Sequence, residues 1–421
     1  MQTRRHGGMH RKNTPKKSVA ALLDHMQNGR WRKTLTAKDS HLAPYLKREC
    51  QGGQCVIFGT HFDRVKTFFD NFDIQSGLVD EITDIEYSNV RRLRFSKNGF
   101  TCYALAKTQD TVSAPNLMYE YAVGMFINRY CASLPCFVYT HGIYLFKDTD
   151  SKQKFSSESS FVKSLPDSVV SCKKPFTSND HCTGATRYLL LTHFLEGSIE
   201  LSEFLMDEDA VTISSNIIGI MYQIYYGLNV LGKSFAHWDL HAKNVLLYKS
   251  PGPIRFRYIN YVGDTDTESI TIDFTCQYTA KIIDYGLSEF KGSRDVIESG
   301  KRMGCKSTVF PLHKKYRKQP DFNDIYLLHG TMEKVLERLD ESDSKSSPET
   351  SSKDEIFTTF VEELIDDVKR GEIKNVKGVM KELNIEENFM SYFSENLPQT
   401  AAECYAALTV NGRDPAIFKL S

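Results

Sequence analysis

The chain has 421 residues, with 53 Lys+Arg against 53 Asp+Glu, 41% apolar residues and 12% aromatics. This composition excludes a wholly disordered or collagen-like chain, and the length allows about two to three domains, or one two-lobed domain with insertions. Zero formal net charge removes any global attraction to nucleic acid or anionic lipid, so such an affinity has to come from a local patch.

That patch opens the chain. Residues 1–38 carry ten Lys/Arg and one acid and read as a basic arm within an N-terminal segment 1–50; the arm suits an acidic partner or nucleic acid. From Val56 to Asp148 short β-type runs follow: Val56–Phe58, Arg91–Phe95, Phe100–Lys107 and His141–Phe146, with a hairpin signal at Asn98-Gly99. After Pro115 the period changes, and Leu117, Tyr121, Met125 and Asn128 predict one helix among the strands. Residues 149–186, with nine serines between Ser151 and Ser178, read as a polar insertion before a strand resumes at Arg187. Ala210 to Gly232 has no charged residue and is long enough to span a bilayer. Thr212, Ser214, Ser215, Asn216, Gln223 and Asn229 interrupt its apolar stripe, however, and predict a buried core helix, with no transmembrane segment. A second polar insertion is expected over residues 249–273 and an acidic linker over 340–355. An amphipathic helix is expected over Ile356–Val368. Ten cysteines, behind a basic and polar start, predict reduced thiols and an intracellular protein, cytoplasmic or nuclear. Cys131, Cys136, Cys172, His181 and Cys182 lack the paired spacing of a zinc site.

Two segments carry chemistry. His237-Trp238-Asp239-Leu240-His241-Ala242-Lys243-Asn244 precedes the apolar Val245-Leu246-Leu247, and Lys281-Ile282-Ile283 leads into Asp284-Tyr285-Gly286. An Asp, an Asn five positions later, a strand and then an Asp-aromatic-Gly suit phosphoryl transfer from a nucleotide. Asp239 can accept or orient a hydroxyl proton, while Asn244 and Asp284 offer hard oxygens to Mg²⁺.

These segments resemble the catalytic loop and the DFG motif of the protein-kinase superfamily. The resemblance implies an α+β, two-lobed protein-kinase-like fold: a β-rich N-lobe over residues 51–195 and a larger helical C-lobe over 196–421. It also implies ATP and Mg²⁺ as cofactors. Upstream, Ala104-Leu105-Ala106-Lys107 is similar to the family's lysine strand, which makes Lys107 the phosphate contact and Glu120 its ion-pair partner. Leu191-Thr192-His193-Phe194-Leu195 resembles the end of strand five and the hinge, with Thr192 as gatekeeper and the backbone of His193 and Leu195 facing adenine. Asp324, with Asp321 as competitor, resembles the aspartate that steadies the catalytic loop. The stretch from Met118 to Phe146 is also similar to kinase-like proteins of large DNA viruses, which would place the protein in host cytoplasm or virion.

The departures are specific. Asp84 to Val90 has no glycine where the family has its glycine-rich loop, and no APE follows Asp284. Trp238 replaces the arginine that meets a phosphorylated activation loop, so such phosphorylation is not the expected switch. His241 stands where Ser/Thr kinases place a lysine, and Lys243 is the expected charge stabiliser. The resemblance implies Ser/Thr protein kinase activity on a protein substrate, with Asp239 and Lys243 as catalytic residues. A pseudokinase-type scaffold and a small-molecule phosphotransferase are the alternative readings.

Overall fold

The computed structural model describes residues 62–70, 79–84, 90–97, 100–110, 115–131, 134–147, 169–171, 186–261, 269–302, 322–343, 352–385 and 417–420. The basic arm, the expected strand at 56–58, Asp321 and residues 303–320 lie outside these, as does most of the 149–186 insertion.

Strand-forming alternation dominates the N-terminal part. Its elements are α1 (Phe62–Asp70), β1 (Val79–Asp84), β2 (Val90–Lys97), β3 (Phe100–Asp110), α2 (Pro115–Ile127), β4 (Thr140–Lys147), β5 (Val169–Ser171) and β6 (Thr186–His193). The six strands form one sheet in the order β1-β2-β3-β6-β4-β5. Lys97 pairs with Phe100 at the ends of β2 and β3; the expected Asn98-Gly99 turn between them lies outside the described residues. The short β5, inside the serine-rich insertion, extends the sheet edge by pairing with β4.

Strand β6 is apolar at every position from Tyr188 to Leu191 because both faces of the sheet are covered. Leu189 and Leu191 join Leu93, Phe95, Ala104 and Ala106 under Val65 and Phe69 of α1. Tyr188 and Leu190 face the other way and join the larger core with α2. The register pairs Lys107 with Leu190 and Leu105 with Thr192, so Lys107 and Thr192 share the α2 face. Pro115 sits at the first helical position, where its missing N–H costs nothing. Gly124 lets α2 approach β4, since a Cβ there would run into the Thr140 side chain.

The C-terminal part contains β7 (Ser198–Glu200), α3 (Leu201–Asp207), α4 (Ala210–Leu231), β8 (Phe235–Ala236), β9 (Val245–Tyr261), β10 (Ser269–Ile282), β11 (Glu289–Phe290), α5 (Ser293–Arg302), α6 (Phe322–Asp343), α7 (Ser352–Lys369), α8 (Val376–Ile385) and β12 (Ile417–Leu420). Helix α4 begins on Asp209, whose carboxylate accepts the Thr212 N–H at 2.9 Å, and ends on Gly232 at φ 46°. The polar side chains that interrupt its apolar stripe find protein partners. Asn216 Oδ1 accepts the N–H of Gln277, where the register between β10 and β9 shifts. Gln223 donates to the Tyr278 carbonyl and accepts the Ala280 N–H. Among the described residues no helix is long and apolar enough to cross a membrane.

Two stretches differ from the sequence expectation. The polar insertion at 249–273 is largely β-structure: β9 and β10 run out antiparallel as far as Tyr261 and Ser269, and β12 adds in parallel along residues 257–260. The alternating aromatic and β-branched residues of Ile254–Tyr261 and Ile270–Thr275 suit paired strands. The expected linker at 340–355 is shorter than the composition suggests, because α6 continues to Asp343 and α7 starts at Ser352. The amphipathic stripe lies inside α7, with Phe357, Val361, Leu364 and Ile365 buried.

Candidate active site

Strand β3 and helix α2 bring their charged side chains together on the inner face of the sheet. Lys107 Nζ lies 3.0 Å from Glu120 Oε2 and 2.9 Å from Asp284 Oδ1, joining three chain segments at one ammonium. Glu120 is buried on α2, whereas the Asp284 side chain is 42% exposed and opens toward solvent. Burial would lower the Lys107 pKa, but the two carboxylates overcome it and raise it above the ordinary lysine value. Burial pushes the Glu120 carboxyl up to about 7, with the ammonium pulling the other way. Burial also acts to raise Asp284, but Lys107 and the Gly286 N–H together hold it below the usual carboxylate range.

The shift of Glu120 has a testable sign. Folding raises this carboxyl from 4.5 to about 7, so between those values the folded protein holds the proton more tightly than the unfolded chain. The stability it contributes is present at low pH, falls as pH rises through that window, and is flat above it. Glu120→Gln should therefore gain in Tm relative to the wild type between pH 5 and 7.5, by on the order of 5 °C, in nucleotide-free melts. A gap that narrows with rising pH would contradict this.

The second half of the site is the loop between β8 and β9. Asp324, buried in the first turn of α6, accepts the N–H of His237 through Oδ2 and that of Trp238 through Oδ1, both at 3.0 Å. Trp238 has φ 65° and Asp284 φ 59°, the two non-glycine residues with positive φ among the described residues, so both strained positions flank this site. Below the loop, the buried ring of His237 meets the Ile283 carbonyl at 2.9 Å through Nε2, and burial lowers its pKa. The ring is therefore neutral and donates from Nε2. The Ile283 N–H in turn donates to the Asn244 carbonyl at 3.0 Å, which fixes the residue before Asp284 against the end of the loop.

Asn244 is buried and its amide nitrogen is committed. It donates to the Asp239 carbonyl at 2.8 Å and lies 3.2 Å from His241 Nε2 and 3.4 Å from Asp239 Oδ2. Asp239 is partly exposed and Lys243 exposed. On the opposite side, Thr192 is half-buried and opposite Leu105. The His193 N–H donates to the Tyr139 carbonyl at 2.8 Å, and the Leu195 carbonyl accepts from Ser198 Oγ at 2.9 Å.

All nine expected site residues thus lie in the described structure. Lys107, Glu120 and Asp284 touch directly, and Asp239 and Asn244 join them through Ile283. Thr192 and His193 end β6 and Leu195 follows it, while Lys243 makes none of these contacts. Three contributions escape motif reading. His237 acts through a ring bond, Tyr119 contacts the segment after Gly286, and Tyr285 uses a hydroxyl where the motif needs only an aromatic. Tyr119 looks like ordinary core in the sequence, while His237 and Tyr285 lie within the two motifs but their hydrogen-bond partners do not follow from them.

An antiparallel sheet carrying an ion-paired Lys and Glu, set against a helical part that supplies an Asp-Asn loop and a second Asp, is the arrangement of a protein-kinase-type phosphotransferase. Residues 145–309 match the family model for protein tyrosine and serine/threonine kinases, which supports a kinase-type domain over that stretch. The matched stretch holds Thr192, Asp239, Asn244 and Asp284 but begins after Lys107 and Glu120, which are assigned by geometry alone. No curated protein matches the chain.

Proposed function

We propose that the protein transfers the γ-phosphoryl group of ATP to a protein hydroxyl, serine or threonine, in a Mg²⁺-dependent reaction. The observation that carries this reading is the Lys107 ammonium held between Glu120 and Asp284, with Asp239 and Asn244 tied to the same segment. Lys107 holds the α- and β-phosphates, and Glu120 keeps its side chain extended across the cleft. The adenine base meets the backbone of His193 and Leu195, at and just beyond the end of β6.

The donor set fits a hard divalent cation. Asp284 supplies a carboxylate kept ionised by Lys107, and the bonds of the Asn244 amide nitrogen leave its Oδ1 as the ligand atom. Bound Mg²⁺ would neutralise phosphate charge. Asp239 accepts the proton of the substrate hydroxyl as its oxygen bonds to the γ-phosphorus. The bond from that phosphorus to the bridging oxygen breaks, and its electron pair leaves with ADP. Lys243, exposed beside the loop, stabilises charge on the transferring group. The basic arm over residues 1–38 would recruit an acidic partner or nucleic acid.

One observation favours the scaffold reading: the five residues between β1 and β2, Ile85-Glu86-Tyr87-Ser88-Asn89, contain no glycine to cap the phosphates. Melting the protein with ATP, with and without Mg²⁺, separates the two. A rise in Tm of several degrees that EDTA removes, together with label transfer from γ-labelled ATP to casein, is the expected result. Absence of both would leave the scaffold.

A further inference from the structure

Helix α2 is fastened to the segment that follows Asp284-Tyr285-Gly286 by a closed set of buried hydrogen bonds. Tyr119, the neighbour of Glu120 in sequence, is fully buried and donates its hydroxyl to the Ser288 carbonyl at 2.6 Å. Its oxygen lies 2.7 Å from Ser293 Oγ, which accepts the Phe290 N–H at 2.7 Å and so donates to Tyr119. Around this set Phe290 packs on Phe126 of α2, with ring centroids 5.3 Å apart, and Val296 and Ile297 carry α5 into the same core. A second hydroxyl works on the other side of the motif. Tyr285 accepts the Val138 N–H at 2.9 Å and has the Ile282 carbonyl within 3.0 Å.

We infer that Tyr119 and Ser293 form a built-in latch that keeps α2, and with it Glu120, against the Asp284 segment, so that the charged centre is assembled without an activating phosphorylation. The inference rests on the proposed function and names its regulation. None of the bonds uses a charged group or a surface side chain, so no added phosphate is needed to close them. Swinging α2 away would strand a tyrosine hydroxyl and a carbonyl in an apolar core, where unpaired polar groups are costly. Trp238, buried beside Asp239, offers no cation that a phosphate could recruit. Tyr119 and Ser293 are positioning residues, acting through Glu120 and Lys107.

The test uses the full chain made in bacteria, half of it treated with a non-specific protein phosphatase. Turnover on casein should agree within about twofold between the halves. Tyr119→Phe and Ser293→Ala should each lower kcat about tenfold, with the double variant no worse than about the single ones, since one latch is broken in all three. Activity that vanishes on phosphatase treatment, or variants as active as the wild type, would overturn the latch. Hydrogen exchange of the α2 amides gives a readout independent of catalysis. It should be slow in both wild-type halves and at least about tenfold faster in Tyr119→Phe. Were the wild type to transfer no phosphate while this acceleration appeared, the proposed function would fall and the latch would stand. Equal exchange in wild type and variant would sink the latch alone.

Discussion

Asp239→Asn should reduce phosphoryl transfer by about a thousandfold or more while leaving the Mg²⁺-ATP melting shift unchanged. The carboxylate is partly exposed and does not contact Lys107, so no nucleotide-holding ion pair depends on it. The loop conformation does not depend on its charge either, since Asn244 is tied mainly to the Asp239 backbone carbonyl at 2.8 Å and only at 3.4 Å to its side chain. What the amide cannot do is take the substrate proton, and general-base assistance is typically worth about 10²–10⁴-fold. Label transfer under saturating nucleotide, measured beside the melting shift, separates the two effects. Full transfer by the variant would remove Asp239 from its role, and loss of the shift would make it a binding residue instead.

Asp324→Ala should damage both stability and turnover. The side chain is 2% exposed and is the acceptor for two consecutive loop N–H groups, one of them on a residue with positive φ. Removing it leaves both donors buried without this acceptor and releases Trp238 from a strained conformation. A loss of about 3–5 kcal/mol is expected, or roughly 5–15 °C in Tm, with turnover falling at least about a hundredfold. Asp324→Asn retains one acceptor oxygen and should fall between the two. The Tyr225 hydroxyl, which donates to the Asp324 carbonyl at 2.6 Å and accepts the Leu328 N–H, anchors the start of α6 independently of the side chain. The fold should therefore survive the change, as circular dichroism below the transition would verify. An Asp324→Ala protein with unaltered melting and turnover would show that the loop is held by other means.

Much of this was readable in the sequence wherever a local rule and a global requirement coincide. The helical period after Pro115 and the strand resuming at Arg187 each follow from short-range pattern, and the structure places a helix and a strand there. The polar residues of α4 correctly exclude a membrane span, yet nothing in the sequence says that Asn216 and Gln223 pair with β10, because that depends on register fixed from afar. The insertion at 249–273 was expected from its polarity, but that it forms the outer half of the β9/β10 hairpin was not legible, because its alternation only becomes a strand when a partner lies alongside. The site residues carried by contiguous motifs, Asp239, Asn244 and Asp284, are brought close, as are Lys107 and Glu120, which stand thirteen positions apart on different elements. The contacts of His237, Tyr119 and Tyr285 stayed hidden because a buried ring discloses its hydrogen-bond partner only in three dimensions.

The β9/β10 hairpin has a structural consequence for the cleft. Asn244 immediately precedes one of its strands and Asp284 stands two residues beyond the end of the other, with thirteen paired positions between the arms. One two-stranded ladder therefore joins the chain leading out of Asn244 to the chain leading into Asp284, and β12 lies along its outer part.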